Sequence, residues 1–303
     1  MLDILMVARP QRVTLGSTKP EAWVYEICRR PAAHDVCPAG SGSFSPYGGV
    51  HLHLDPGDRL KVRLVNRLPS LDATGPFAPD HAKDPANAHM ALLDNPTNLH
   101  THGLIVEPRK PSPAMPSFGD TIFVLNYNHA NTATPIPAQI PGIEVRKDVV
   151  DYDIPIPNPP NGPHPSGLFW FHPHAHGLAL NQVSAGLAGI ITIGKPQDYL
   201  CDDGACTGLG AAPRHLVLKD MQVVRPAGAR ADRVQTQEDP TFCGGPPPAP
   251  PGQNGVCPGT APNSNWFFTV NGQVFPSWTA AAQRGELLAR SPMPRAASPT
   301  TCT

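Results

Sequence analysis

Apolar and polar positions alternate through this chain in short stretches, and stretches of that kind predict β-strands rather than helices. Val50-His51-Leu52-His53-Leu54 alternates, breaks at Pro56-Gly57-Asp58 and resumes as Leu60-Lys61-Val62-Arg63-Leu64-Val65-Asn66. That pattern predicts a hairpin. Residues 121–125, the apolar run 186–193 and the alternating segment 214–220 read as further strands. Residues 266–270 and 273–276 flank Asn271-Gly272, a dipeptide suited to a tight hairpin turn. Few windows repeat at the helical period, and 40 Pro with 27 Gly fit strands joined by many turns.

Composition narrows the class of partner. The 303 residues are enough for two domains, and 23 basic against 24 acidic residues leave a net charge of −1. No basic stripe offers itself to nucleic-acid phosphates or anionic lipid, so neither nucleic acid nor a membrane surface is an expected partner. The longest apolar run, 186–193, is far short of the ~20 residues that cross a bilayer. Seven Cys fall as Cys28/Cys37, Cys201/Cys206 and Cys243/Cys257 with Cys302 alone. Three short-range pairs favour an oxidising compartment, although free buried thiols remain an alternative and spacing does not fix connectivity. The first ten residues carry Asp3 and lack the apolar core of a secretion signal, so either a signal has been removed or the start lies downstream of one.

Histidine carries the chemistry. Random placement of 13 His in 303 residues gives about half of one His-x-His doublet. Four occur: His51/His53, His100/His102, His172/His174 and His174/His176. In an extended strand residues i and i+2 share a face, so each doublet aims two imidazoles into one space, as a multinuclear metal site requires. The bland alternative is a set of polar histidines at a wet sheet edge. Imidazole ligands suit copper, zinc, iron or nickel, so the ligand type narrows the metal without choosing it.

Asn98-Leu99-His100-Thr101-His102-Gly103, then 167–177 with Trp170-Phe171-His172-Pro173-His174-Ala175-His176-Gly177, then 186–193, resemble the first domain of a multicopper oxidase, the family of laccases and bacterial copper oxidases. The likeness extends more weakly from about residue 50 to about residue 289. It implies an all-β, cupredoxin-like Greek-key β-sandwich, with a first domain at 1–196, a linker at 197–212 and an incomplete second domain at 213–303. It also implies copper, with His100 on a type 2 ion, His102 and His172 on one type 3 ion, and His174 on the other. The family's ligands are the first two of the 172–176 run, so His176 is assigned an outer, supporting place. Zinc remains chemically reasonable for the same imidazoles. His51 and His53 stand where the family has ordinary strand residues and read as structural, as does His215. His129 and His164 lie in the Pro-rich stretch 107–167, longer than the family norm, and read as solvated.

The resemblance further implies dioxygen and a small reducing substrate or metal ion as partners, and a periplasmic or extracellular location. Yet no Cys lies in a His-Cys-His context, so a type 1 site and the second half of the cluster ligands have no counterpart. The chain reads as a fragment supplying half of the ligands and inactive alone. A copper-tolerance protein that stores the ion, and a metal-free cupredoxin scaffold, are the rival readings. Residues 290–303 are not strand-like, whereas GC-rich codons for them read two nucleotides later give a segment like the missing family strand, which points to a frameshift. A gene sequence without that second frame would dismiss the frameshift.

Overall fold

The computed structural model describes residues 1–277 apart from 33–34, 46, 72–91, 132–135, 159–161, 201–214, 226–230, 236–263 and 275. Two sheets make a sandwich. In one layer β1 (Leu2–Arg12) pairs antiparallel with β2 (Glu21–Arg29) and parallel with β4 (Arg59–Asn66), which pairs antiparallel with β8 (Val149–Pro155). The other layer has the order β3 (His51–Leu54), β10 (Gly189–Ile193), β9 (Gly167–His172), β5 (His100–His102). Met6, Tyr25, Val62 and Leu64 from the first layer meet Leu52, Phe171 and Ile191 from the second in one buried core. Among the described residues the helices α1 (Ala179–Ala185) and α2 (Pro196–Leu200) are short, and the expected all-β sandwich is what forms.

The expected hairpin at 50–66 does not form. β3 and β4 are both strands, but β3 pairs with β10 and β4 pairs with β1 and β8. The turn between them carries the chain from one layer to the other. Alternation reports which face of a strand is buried and says nothing of its neighbour: Leu52, Leu54, Leu60, Val62 and Leu64 all point into the same core from opposite layers.

β1 and β2 are not among the strands that alternation predicts. Ile4, Met6 and Ala8 enter the main core, while Leu5 and Val7 pack with Cys28 and Val65 in a separate cluster. Buried on both faces, this segment reads as a continuous apolar run without alternation. The Cys28–Cys37 disulfide forms beside that second cluster. Cys201, Cys206, Cys243, Cys257 and Cys302, and the shifted frame at 290–303, lie outside the described residues.

Segment 107–167 supplies three strands: β6 (Val124–Tyr127), slightly later than the expected 121–125, β7 (Glu144–Lys147), parallel to β6, and the sandwich strand β8. Downstream, β11 (Leu218–Val224), starting later than the expected 214, pairs with β12 (Arg233–Gln235) and β13 (Ser264–Val270). β12 joins β2 through Arg233 and Glu21, so these strands extend the larger sheet. The turn from β13 to β14 (Gln273–Val274) has positive φ at Asn271 (51°) and Gly272 (75°), the backbone that the Asn-Gly pair favours. This hairpin forms as expected.

Gly189 faces Phe171 across the β9–β10 pair, and an added Cβ would run into the Phe171 ring and lie 2.8 Å from the Val50 carbonyl oxygen. Overpacking of this kind costs about 1–3 kcal/mol. Gly189→Ala should lower the urea midpoint by a corresponding amount without changing the dependence on denaturant; an unchanged midpoint would show that the site yields without cost.

Candidate metal centre

Two neighbouring strands bring the imidazoles together. β5 pairs antiparallel with β9 so that His100 lies opposite His172, Thr101 opposite Phe171 and His102 opposite Trp170. With a side-chain period of two, His100, His102, Trp170 and His172 share one face while Phe171 turns to the core. One ligand atom from each of His100, His102 and His172 lies within 4.8 Å of the others.

His174 follows in the turn beyond β9. Its ring centre is 5.4 Å from that of His100 and 5.8 Å from that of His172, so it borders the trio without belonging to the tight group. Its backbone N–H donates to Asn98 Oδ1 at 2.6 Å, and Asn98 Nδ2 donates to the carbonyls of Ile122 and Val124. One buried amide thus ties the second doublet to the chain just before the first. His176 is exposed and stands outside the tight group.

Each ring of the trio is held in a definite way. His172 is buried, donates from Nδ1 to the Pro173 carbonyl at 2.8 Å, and stacks on Trp170 with ring centres 4.0 Å apart. Its Nε2 is left facing His102 Nδ1 at 3.3 Å. His100 Nδ1 lies 3.2 Å from Asp120 Oδ1, which also accepts the Thr101 N–H at 2.9 Å. A proton on that Nδ1 leaves Nε2 open for a metal, the tautomer control that a carboxylate commonly gives a metal-bound histidine.

Burial pushes His172 down to about 4, with the crowding of His100, His102 and His174 acting in the same direction against the Pro173 carbonyl. Burial first, then His100 and His174, also lowers His102. Both rings are therefore neutral near pH 7, the state in which imidazole binds a metal. A set of imidazoles converging within 4.8 Å fits copper or zinc.

Three participants were not singled out from the sequence. Asp120 is 18 residues beyond His102 in a Pro-rich stretch, and nothing in its spacing marks it. Trp170 lay inside the quoted motif, but its stacking on His172 depends on the strand register. His164, expected in solvent, is buried: Nε2 accepts the Ile105 N–H at 2.8 Å, Nδ1 donates to the Pro165 carbonyl, and the ring meets the edge of Phe169. It braces the turn that follows His102. Its burial follows from a distant backbone donor that local composition does not reveal. His129 is 70 % exposed, as expected.

His51 and His53 stand away from the trio, on the outer side of β3, where both rings contact Thr192.

No protein-family profile matches the chain, and no curated protein is similar to it. Solved structures are. A variant of the McoA multicopper oxidase of Aquifex aeolicus is 17% identical with a TM-score of 0.44, covering 90% of this chain and 39% of that one. A multicopper oxidase of Campylobacter jejuni described as a metallo-oxidase is 16% identical with a TM-score of 0.39, covering 89% and 36%. The laccase-like CueO of an Ochrobactrum species is 17% identical with a TM-score of 0.43, covering 89% and 39%. The chain spans less than two fifths of the length of these proteins.

The depressed His172 pKa couples protonation to stability. An unfolded histidine titrates near 6.5, so between that value and about 4 the unfolded chain takes up a proton that folded His172 refuses. Metal-free protein should therefore lose stability as pH falls through this window, by roughly 3 kcal/mol at full extent. Urea midpoints measured from pH 7 to pH 4 should fall less steeply in His172→Gln; identical slopes would remove His172 as the cause. Asp120→Asn should weaken metal binding by about 10–100-fold with the fold retained, read by competition with a chromophoric chelator, and an unchanged affinity would leave the carboxylate without that role.

Proposed function

We propose that the chain is part of a multicopper oxidase and that His100, His102, His172 and His174 are its share of a copper cluster. The observation that carries this reading is the convergence of His100, His102 and His172 within 4.8 Å on one face of a paired β5 and β9. The motif resemblance adds the choice of copper over zinc. In this reading His100 holds the type 2 ion, His102 and His172 share a type 3 ion, and His174 serves the other. The 3.3 Å approach of His102 Nδ1 to His172 Nε2 supports the shared ion.

Copper would supply the redox chemistry, taking up single electrons from a reducing substrate and delivering them to dioxygen, which is reduced to water. The protein's contribution is placement and protection. The Pro173 carbonyl and the Trp170 ring fix His172, Asp120 orients His100, and Asn98 holds the backbone of His174. His102 and His174 are exposed, which leaves one side of the group open to the ligands of a further domain. The division into a cupredoxin domain at 1–196, a linker at 197–212 and an incomplete second domain at 213–303 belongs to the same proposal.

The Cys28–Cys37 disulfide agrees with a periplasmic or extracellular setting. Among the described residues no helix is long and apolar enough to cross a membrane.

With only half of the ligands, the purified chain should bind copper weakly and consume no dioxygen with a phenol or cuprous ion as donor, measured with an oxygen electrode. Replacing His100, His102 and His172 together by Ala should weaken cupric-ion binding at this centre at least 10-fold. Unchanged binding would overturn the ligand assignment, and oxygen consumption by the chain alone would overturn the half-cluster reading.

A further inference from the structure

The pairing of β5 with β9 places His100, His102 and His172, but it stops short of the fourth imidazole. β9 ends at His172, so His174 lies beyond the last paired residue and its distance from the trio is set by something other than the sheet. From His174 the chain runs on into helix α1, whose seven residues are too few to be stable by themselves. Contacts made by its buried face decide where it sits.

That face is polar where a helix against a core is ordinarily apolar: of its buried residues Asn181, Gln182 and Ala185, two are amides. Gln182 is fully buried, and its side chain reaches three consecutive residues ahead of β5. Its Nε2 donates to Asn95 Oδ1 and to the Pro96 carbonyl, both at 2.9 Å, and its Oε1 accepts from the Thr97 hydroxyl at 3.0 Å. The partners fix which way the amide points. The Pro96 carbonyl can only accept, and Asn95 has its own Nδ2 committed to the Pro69 carbonyl at 3.0 Å, so the nitrogen of Gln182 faces this pair. An amide satisfied on both its nitrogen and its oxygen leaves the helix one place to dock, because any displacement strands buried polar groups away from water.

Asn98, next in the same segment, accepts the His174 N–H at its Oδ1. Residues 95–98 therefore grip residues 174–182 at both ends. Between the grips the turn closes on its own backbone: the Leu178 and Ala179 N–H groups donate to the Ala175 carbonyl, and the Gln182 N–H donates to that of Leu178. His100 follows Asn98 by two residues, so one short segment leads into the first doublet and locates the end of the second.

We propose that Gln182 is a positioning residue for the metal centre: through residues 95–98 and the turn after β9 it sets the distance of His174 from His100, separately from the strand pairing that places the other three rings. This inference rests on the copper reading of the four histidines.

Loss of the Gln182 amide leaves α1 other anchors. Leu178 and Ala185 enter the main core, and Lys219 Nζ on β11 donates to the Val183 carbonyl at 2.6 Å. The consequence is a shift of the helix and turn that His174 follows. Metal–imidazole bonds of about 2.0–2.1 Å leave little latitude for such a shift.

Cu2+ is the probe, with affinity read by competition with a chromophoric chelator and coordination by electron paramagnetic resonance. Gln182→Met, close in volume but without the amide, should weaken Cu2+ binding about 10-fold and give the spectrum of His174→Ala. Because Gln182 acts through His174, the two losses should not add, and the double variant should bind as His174→Ala does. In the metal-free chain Gln182→Met should speed amide exchange at His174 while Trp170 and Phe171 in β9 keep their protection. Tm in chelator reports the fold. Thr97→Val, which removes one bond to Gln182, should move affinity and spectrum the same way by less, and it serves if Gln182→Met does not fold. Val7→Ala, in the separate cluster with Leu5 and Cys28, should lower Tm and leave the spectrum unchanged. Additive losses in the double variant, a spectrum untouched by Gln182→Met, or binding indifferent to His174→Ala would overturn the positioning role alone. Cu2+ binding indifferent to replacement of His100, His102 and His172 would remove the copper reading, and this inference with it.

Discussion

The register of β5 against β9 decides whether the imidazoles meet. His100 lies opposite His172, and both doublets have the two-residue period of an extended strand, so a single pairing brings rings from distant parts of the sequence onto one face. A slip of one residue would send His172 to the core side and Phe171 to the surface. Phe171 is what prevents that slip: its ring is buried among core residues from both layers and lies against Gly189, where there is no room even for a methyl group. Core packing and ligand placement are therefore two faces of the same strand.

Around this pairing the supporting contacts form a graded set. Asn98 and Asp120 act on backbone and ring together: Asn98 binds the His174 N–H, and Asp120 binds the Thr101 N–H as well as His100 Nδ1. His164 extends the bracing to the turn after His102 through the Ile105 N–H. Each of these links spans a long stretch of sequence, and none involves a regular secondary-structure hydrogen bond. The rings are positioned by strands and then locked by side chains, the arrangement that gives a metal centre its precision.

The His-x-His doublets that share a face and the β class were legible in the sequence because both rest on local periodicity. The Asn271-Gly272 hairpin was legible because its turn requires a backbone that those residues tolerate. What was not legible depends on partners. β3 and β4 had the right pattern for strands, but alternation cannot distinguish a hairpin neighbour from a strand in the facing layer. β1 is apolar on both sides because a second cluster with Leu5, Val7 and Cys28 covers its outer face, which erases the alternation that would have marked it. His164 lies in a Pro-rich stretch yet accepts the distant Ile105 N–H, and His215 meets the ring of His51 from far along the chain, contacts that local pattern does not encode.

His102 and His174 face outward while His172 is covered, so the group is closed from below and open from above. If the group holds an ion, as proposed, a coordination shell of that shape makes two events thermodynamically reciprocal. Any surface that completes the shell raises the affinity for the ion, and by linkage the ion raises the affinity for that surface by the same factor. On that proposal, metal supply would govern the docking of any such surface, which would be held most strongly where the ion is plentiful.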